Sequence, residues 1–78
     1  MKVHVIAYSG YKAQEKPRGF VLGERQYQVQ EVCDQWYSPD SVYFKVRADD
    51  HNLYILKYDP ALDEWSLESF RAVPEANP

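Results

Sequence analysis

The chain has one cysteine, three glycines and no threonine among its 78 residues. A lone Cys33 excludes an intrachain disulfide, a zinc ribbon and a dithiol redox pair. Glycines at positions 10, 19 and 23 are too scattered to form a phosphate-cradling run. Without threonine, the hydroxyl nucleophiles reduce to the serines and tyrosines. No apolar run approaches the ~20 residues of a membrane-spanning helix. The opening "MKVHVIAYSG" is too short and polar for a secretory signal. These absences together point to a reducing cytoplasm.

Charge of one sign is also scarce. The net charge is −3, which weighs against a dedicated nucleic-acid binder. Its distribution is uneven, because residues 1–47 hold seven Lys/Arg and five Asp/Glu, whereas residues 48–78 hold two and seven. The length allows a single domain, expected to span residues 1–72 with a loose, proline-bearing tail over 73–78. A chain this short must commit most of its large apolar side chains to one core. An enclosed catalytic pocket would compete for the same residues.

What is present is strand pattern. Apolar residues recur at period two, with β-branched and aromatic types dominant, and no helical period lasts beyond about two turns. "KVHVIAY" predicts a first strand with Val3, Val5 and Ala7 on one side. A polar connection follows and is closed by Pro17. "RGFVLGERQYQVQEV" predicts a hairpin around Gly23-Glu24, of type II′, which places Phe20 opposite Tyr27. Apolar positions then change parity from Tyr27 and Val29 to Val32 and Trp36, predicting a β-bulge near Gln30-Glu31. Trp36 is expected to seal one end of the core. Further strands follow at 42–48, 53–58 and 64–70, separated by polar turns. Asp59 is placed to cap a single turn begun by Pro60. The fold class is all-β: an antiparallel meander of five or six strands curled into a partly open, SH3-like barrel or roll.

The segment "VYFKVRADDHNLYILKYD" carries the one pattern that invites a function. A four-residue tip at Asp49–Asn52 would pair Val46 with Ile55 and Ala48 with Leu53 on the buried side. The opposite side then carries Tyr43, Lys45, Arg47 and Tyr54, a basic and aromatic stripe. The next strand would add Glu64, Ser66 and Glu68 to that side, cancelling much of the positive field within a Debye length. A platform for single-stranded nucleic acid needs aromatics with uncancelled cations. The stripe therefore reads as the solvated back of a sheet or as a protein-contact face. Nucleic acid is the alternative, through the same face extended by Arg18 and Arg25. The expected core is Val5, Phe20, Tyr27, Val29, Val32, Phe44, Val46, Leu53, Ile55, Trp65 and Leu67.

Catalytic and metal-binding readings find little material. His51 beside Asp49 and Asp50 sits at a hairpin tip, where such residues are favoured for their backbone conformations, and no second histidine stands at ligand spacing. Cys33 reads as a small apolar strand residue rather than a nucleophile. The adjacent acids Asp49/Asp50 and Asp63/Glu64 would point apart and not face each other across a cleft. No catalytic residue, metal or cofactor is assigned.

The stretch from Glu15 to Phe70 resembles small bacterial cytoplasmic proteins of an uncharacterised family, a domain of unknown function. The resemblance lies in Pro17, Phe20, Gly23, Tyr27, Val29, Trp36, Phe44, Val46, Asp59, Trp65 and Leu67. It implies a small β fold and carries no activity. The sequence therefore reads as a non-catalytic interaction module, monomeric or a weak homodimer, with a protein partner at Tyr43, Lys45, Arg47 and Tyr54 and no membrane association. The alternative reading is a weak nucleic-acid-binding barrel.

Overall fold

The period-two segments form six β-strands in a computed structural model that describes residues 1–7 and 16–73. They are β1 (His4–Ala7), β2 (Pro17–Leu22), β3 (Arg25–Tyr37), β4 (Val42–Ala48), β5 (Leu53–Asp59) and β6 (Glu64–Arg71). Each strand runs antiparallel to the next in one sheet of order β1-β2-β3-β4-β5-β6. No helix among the described residues is long and apolar enough to cross a membrane. The expected polar connection over 8–15 and the tail from 74 onward lie outside the described residues.

β3 curls the sheet. Its first residues pair with β2, Phe20 lying opposite Tyr27 as expected, and its remainder pairs with β4. The β2–β3 turn has Gly23 at φ 61, while Glu24 keeps a negative φ, as type II′ requires. The predicted bulge occurs between Val29 and Glu31, and a second follows between Val32 and Asp34. Each extra residue bends the strand and increases its twist. The meander thereby curls until the chain start meets the last strand. Leu67 N–H donates to Met1 O at 2.7 Å and Val3 N–H to Trp65 O at 3.2 Å, around a Lys2–Ser66 bridge. The result is a partly open barrel.

Its core joins Val3, Phe20, Phe44, Val46, Ala48, Tyr54 and Leu56, with Val5, Leu22, Tyr27, Val29, Val32, Val42, Trp65 and Leu67 packed against them. Phe20 stacks on Tyr27 with centroids 5.1 Å apart, and the edge of Tyr54 meets Phe20 at 4.9 Å. Aromatic pairs like these contribute about 0.5–1.5 kcal/mol each beyond burial.

One turn overturns the expected faces of β5, and a second keeps β6 on its expected face. The β4–β5 tip is a three-residue loop, Asp49–His51. His51 N–H donates to Ala48 O, Ala48 N–H donates to Asn52 O, and His51 sits at φ 68. A type I turn closed by a left-handed residue is the usual three-residue hairpin loop. It shortens the expected tip by one residue, so Lys45 faces Ile55 and Phe44 faces Leu56. A one-residue slip exchanges the faces of a whole strand. Leu53 and Ile55 therefore leave the expected core, and Tyr54 and Leu56 enter it.

The strand pattern places Leu67 beside Ile55 and Trp65 beside Lys57; the β5–β6 turn is one residue longer than that register needs, pairs them with Leu56 and Tyr58, and closes on Asp63 at φ 51. Asp59 Oδ1 accepts from the N–H groups of Ala61 and Leu62, the expected cap. This second slip cancels the first, so Trp65 and Leu67 do face the core.

Candidate functional site

Directly paired residues of neighbouring strands share a face of the sheet. Across β3–β6 the outer face therefore falls into three rows. The first is Trp36, Tyr43, Lys57 and Ser66; the second is Asp34, Lys45, Ile55 and Ser69; the third is Glu31, Arg47, Leu53 and Arg71. Tyr43, Lys45 and Arg47 thus occupy the face expected of them. Tyr54 does not: it is 3% exposed and belongs to the aromatic core, because the short tip turned it inward. Arg18 and Arg25 are also elsewhere. Arg18 lines a separate cleft beside Val29–Val32, and the Arg25 guanidinium lies 4.7 Å over the Tyr27 ring.

Trp36 corrects a second expectation. It is 37% exposed and stacks on Tyr43 at 5.5 Å with an interplanar angle of 2°. The second bulge of β3, at Cys33, shifts parity once more and carries Trp36 from the core face to the outer one. The same bulge leaves Cys33 exposed. Tyr37, paired with Val42, lies on the other side of the strand end, 69% exposed, with its hydroxyl accepting from Gln35 Nε2 at 2.8 Å.

Beside the aromatic pair lies an aliphatic floor with a cationic frame. Lys45, Leu53, Ile55, Ser69 and Arg71 line a shallow cleft of about 190 Å³. The expected acids are missing from its β6 wall. A register shift at Glu68 takes that residue out of the ladder and sets Ser69 and Arg71 opposite Ile55 and Leu53. Glu64 lies farther along and pairs with Lys2 at 3.1 Å. On β3, Glu31 meets Arg47 at 3.6 Å, while Asp34 Oδ1 accepts from Gln35 N–H. Among the described residues, neither Lys45, Lys57 nor Arg71 has a carboxylate within 4.0 Å. On the cleft's β6 side Ser69 and Arg71 stand opposite Ile55 and Leu53, whereas on its β4 side Lys45 has Asp34 across from it and Arg47 has Glu31.

A hydrogen-bond clamp beneath this cleft holds its β6 wall. The Tyr54 hydroxyl donates to Asp50 Oδ2 at 2.6 Å, and Asn52 donates to Asp50 through both its backbone N–H and Nδ2. Asn52 Oδ1 then accepts from Val73 N–H at 3.0 Å, tying the end of β6 to the β4–β5 tip. Desolvation pushes the Asp50 carboxyl upward, but the bonds from Tyr54 and Asn52 together outweigh it and hold the group below its ordinary range. Burial, then the hydrogen bond to the Asp50 carboxylate, drive the Tyr54 phenol far above its ordinary value.

Two larger clefts have less to offer. One of about 390 Å³ follows the β1–β6 seam past Lys2, His4, Asp63 and Trp65, where Lys2 and Glu64 neutralise each other. The other, about 630 Å³, has Lys16 on its wall and borders the segment outside the described residues. Among the described residues no group of three His, Cys, Asp or Glu side chains could hold a metal ion.

Leu53, Ile55 and Arg71 are the site residues that sequence reasoning missed. Leu53 and Ile55 were hidden by an apolar pattern that fits either face. Arg71 was hidden by a bulge with no glycine or proline to mark it. No protein-family model, curated protein or solved structure matches the chain.

Proposed function

We propose that this barrel is a non-catalytic protein-interaction module, working in a reducing cytoplasm in the manner of small SH3-like domains. Its contact surface is the outer face of β4–β6. The reading is carried by one observation: half-buried Leu53 and Ile55 lie between Lys45 and Arg71, cations with no carboxylate partner among the described residues. Aliphatic side chains left on a solvent face, framed by one sign of charge, suit a partner that carries both aliphatic groups and the opposite charge.

A second reading has its own support. The stacked Trp36–Tyr43 pair beside Lys45 and Lys57 supplies the aromatics and cations that a single-stranded nucleic acid would use. The rings stack on each other, however, and the centre of the face is aliphatic, which favours protein.

Amide-resolved NMR titration separates the two. Acidic, aliphatic-rich peptides and mixed-sequence RNA and DNA oligonucleotides are each added at low and physiological salt. The module reading expects shifts on β4–β6 outer-face amides with the peptides. Shifts confined to oligonucleotides and fading steeply with salt, as counterion release requires, transfer the face to nucleic acid. Silence toward both sets of probes overturns the assignment of this face.

A further inference from the structure

The arrangement of the cleft specifies more than the class of partner. Ile55 and Leu53 occupy adjacent same-face positions on the central strand, about 6.7 Å apart along β5. Lys45 and Arg47 flank them on β4, and Ser69 and Arg71 flank them on β6. Neighbouring strands lie about 4.8 Å apart, so the two flanks are separated by roughly 9.6 Å. Both flanks donate hydrogen bonds: ammonium and guanidinium on one side, hydroxyl and guanidinium on the other.

Resting on the interaction-module reading, we infer that the cleft takes an extended peptide lying across the strands. That peptide has an aliphatic residue over Leu53 and Ile55 and an acidic residue two places before and two places after it. In an extended chain, residues two apart point the same way and lie about 6.7 Å from each other. An aliphatic side chain centred over β5 therefore sets its flanking carboxylates about 2 Å beyond the axes of β4 and β6. Lys45 reaches one of them, and Arg71 with Ser69 reaches the other. Arg47 serves as a reserve donor, because its partner Glu31 is an exposed pair at 3.6 Å, and such pairs are weak. The cleft's volume of about 190 Å³ suits one aliphatic side chain rather than a long apolar ligand. The clamp from Asn52 to Val73 positions the Arg71 end of β6.

The test uses the full chain and N-acetylated, C-amidated heptapeptides, so that side chains supply all the peptide charge. The parent probe is Ser-Glu-Ser-Leu-Ser-Glu-Ser; two others replace both glutamates by glutamine, or leucine by serine. Affinities are read from NMR titration. The parent should shift amides of Lys45, Leu53, Ile55 and Ser69, and each replacement should weaken binding by about tenfold or more.

Arg71→Glu and Lys45→Glu, both at surface positions, should each weaken the parent by a similar factor. Arg71→Glu should regain affinity for a probe with lysine in place of one of the two glutamates. Arg25→Glu, away from the cleft, should leave binding unchanged. Equal binding of the glutamate and glutamine peptides overturns the acidic requirement while the module reading stands. Silence of the cleft amides toward all the peptides overturns this inference alone. The module reading falls only if its own wider panel is silent too.

Discussion

Ile55 and Leu56 are neighbours on β5, nearly equal in size and apolarity, and the fold treats them in opposite ways. Leu56 is 0% exposed in the core with Val46 and Phe44. Ile55 lies half-buried on the outer face between Lys45 and Ser69. The same division separates Tyr54, whose hydroxyl is bound to Asp50, from Tyr43, stacked on Trp36. Residue chemistry did not decide which went inside. Loop length did, because it sets the strand register, and register assigns faces. An aliphatic patch on an outer face can thus arise from residues that elsewhere would be core.

The comparison breaks first at these two positions. Leu56→Ala should destabilise the protein by about 2–5 kcal/mol in urea unfolding, since it removes a fully buried side chain and leaves a cavity. Ile55→Ala should cost about 1 kcal/mol or less. An equal loss at both would mean that the outer face is covered in solution.

The tyrosine pair sharpens the contrast at smaller magnitude. Tyr54→Phe removes the donor to a carboxylate and should cost about 1–3 kcal/mol. Tyr43→Phe should stay within about 0.5 kcal/mol, because Tyr43 is half-buried on the outer face and the change removes only a hydroxyl outside the core.

The same Tyr54–Asp50 bond predicts a pH dependence with definite signs. The folded Asp50 carboxyl titrates below 3.8, so between its folded pKa and 3.8 the unfolded chain holds more protons. Its stabilising contribution is whole above about pH 4 and is lost as acid carries the folded carboxyl through its own pKa. The folded Tyr54 phenol titrates above 10.0. Its contribution is whole below that pH and declines as the pH rises beyond it. Melting temperature against pH should show both limbs, and Asp50→Asn should flatten the acid one.

The smallest effect lies in the turns. His51→Gly should stabilise by up to about 1 kcal/mol, because the left-handed φ of 68 strains a side chain that glycine lacks. Asp63→Gly relieves a similar φ but loses the Tyr58 hydroxyl donating to Asp63 Oδ1 at 2.7 Å. That change should be near neutral. Thermal melts of the two variants distinguish relief of strain from loss of a bond.

Much of the architecture was legible without coordinates. The Phe20–Tyr27 pairing, the Gly23 turn, the bulge after Val29 and the Asp59 cap all follow from local signals in which backbone conformation depends on one or two residues. The candidate site was half legible. Tyr43, Lys45 and Arg47 were placed on the right face because β4 alternates cleanly. Tyr54 was not, because "LYILKYD" carries apolar side chains at both parities and its face depends on the turn before it. Trp36 and Arg71 depended on bulges at Cys33 and Glu68, where no glycine or proline announces the extra residue.

The amino-acid sequence by itself determined an all-β chain, an antiparallel meander of five or six strands, and the aromatic content of its core. Period and turn chemistry are local properties, read within a few residues. Only the tertiary structure decided which side chains face outward together. That choice sums every loop length and bulge along the meander, and each one-residue change exchanges a whole strand's faces. The cationic cleft over Leu53 and Ile55 is the product of three such changes: a short tip, a long turn and a bulge at Glu68.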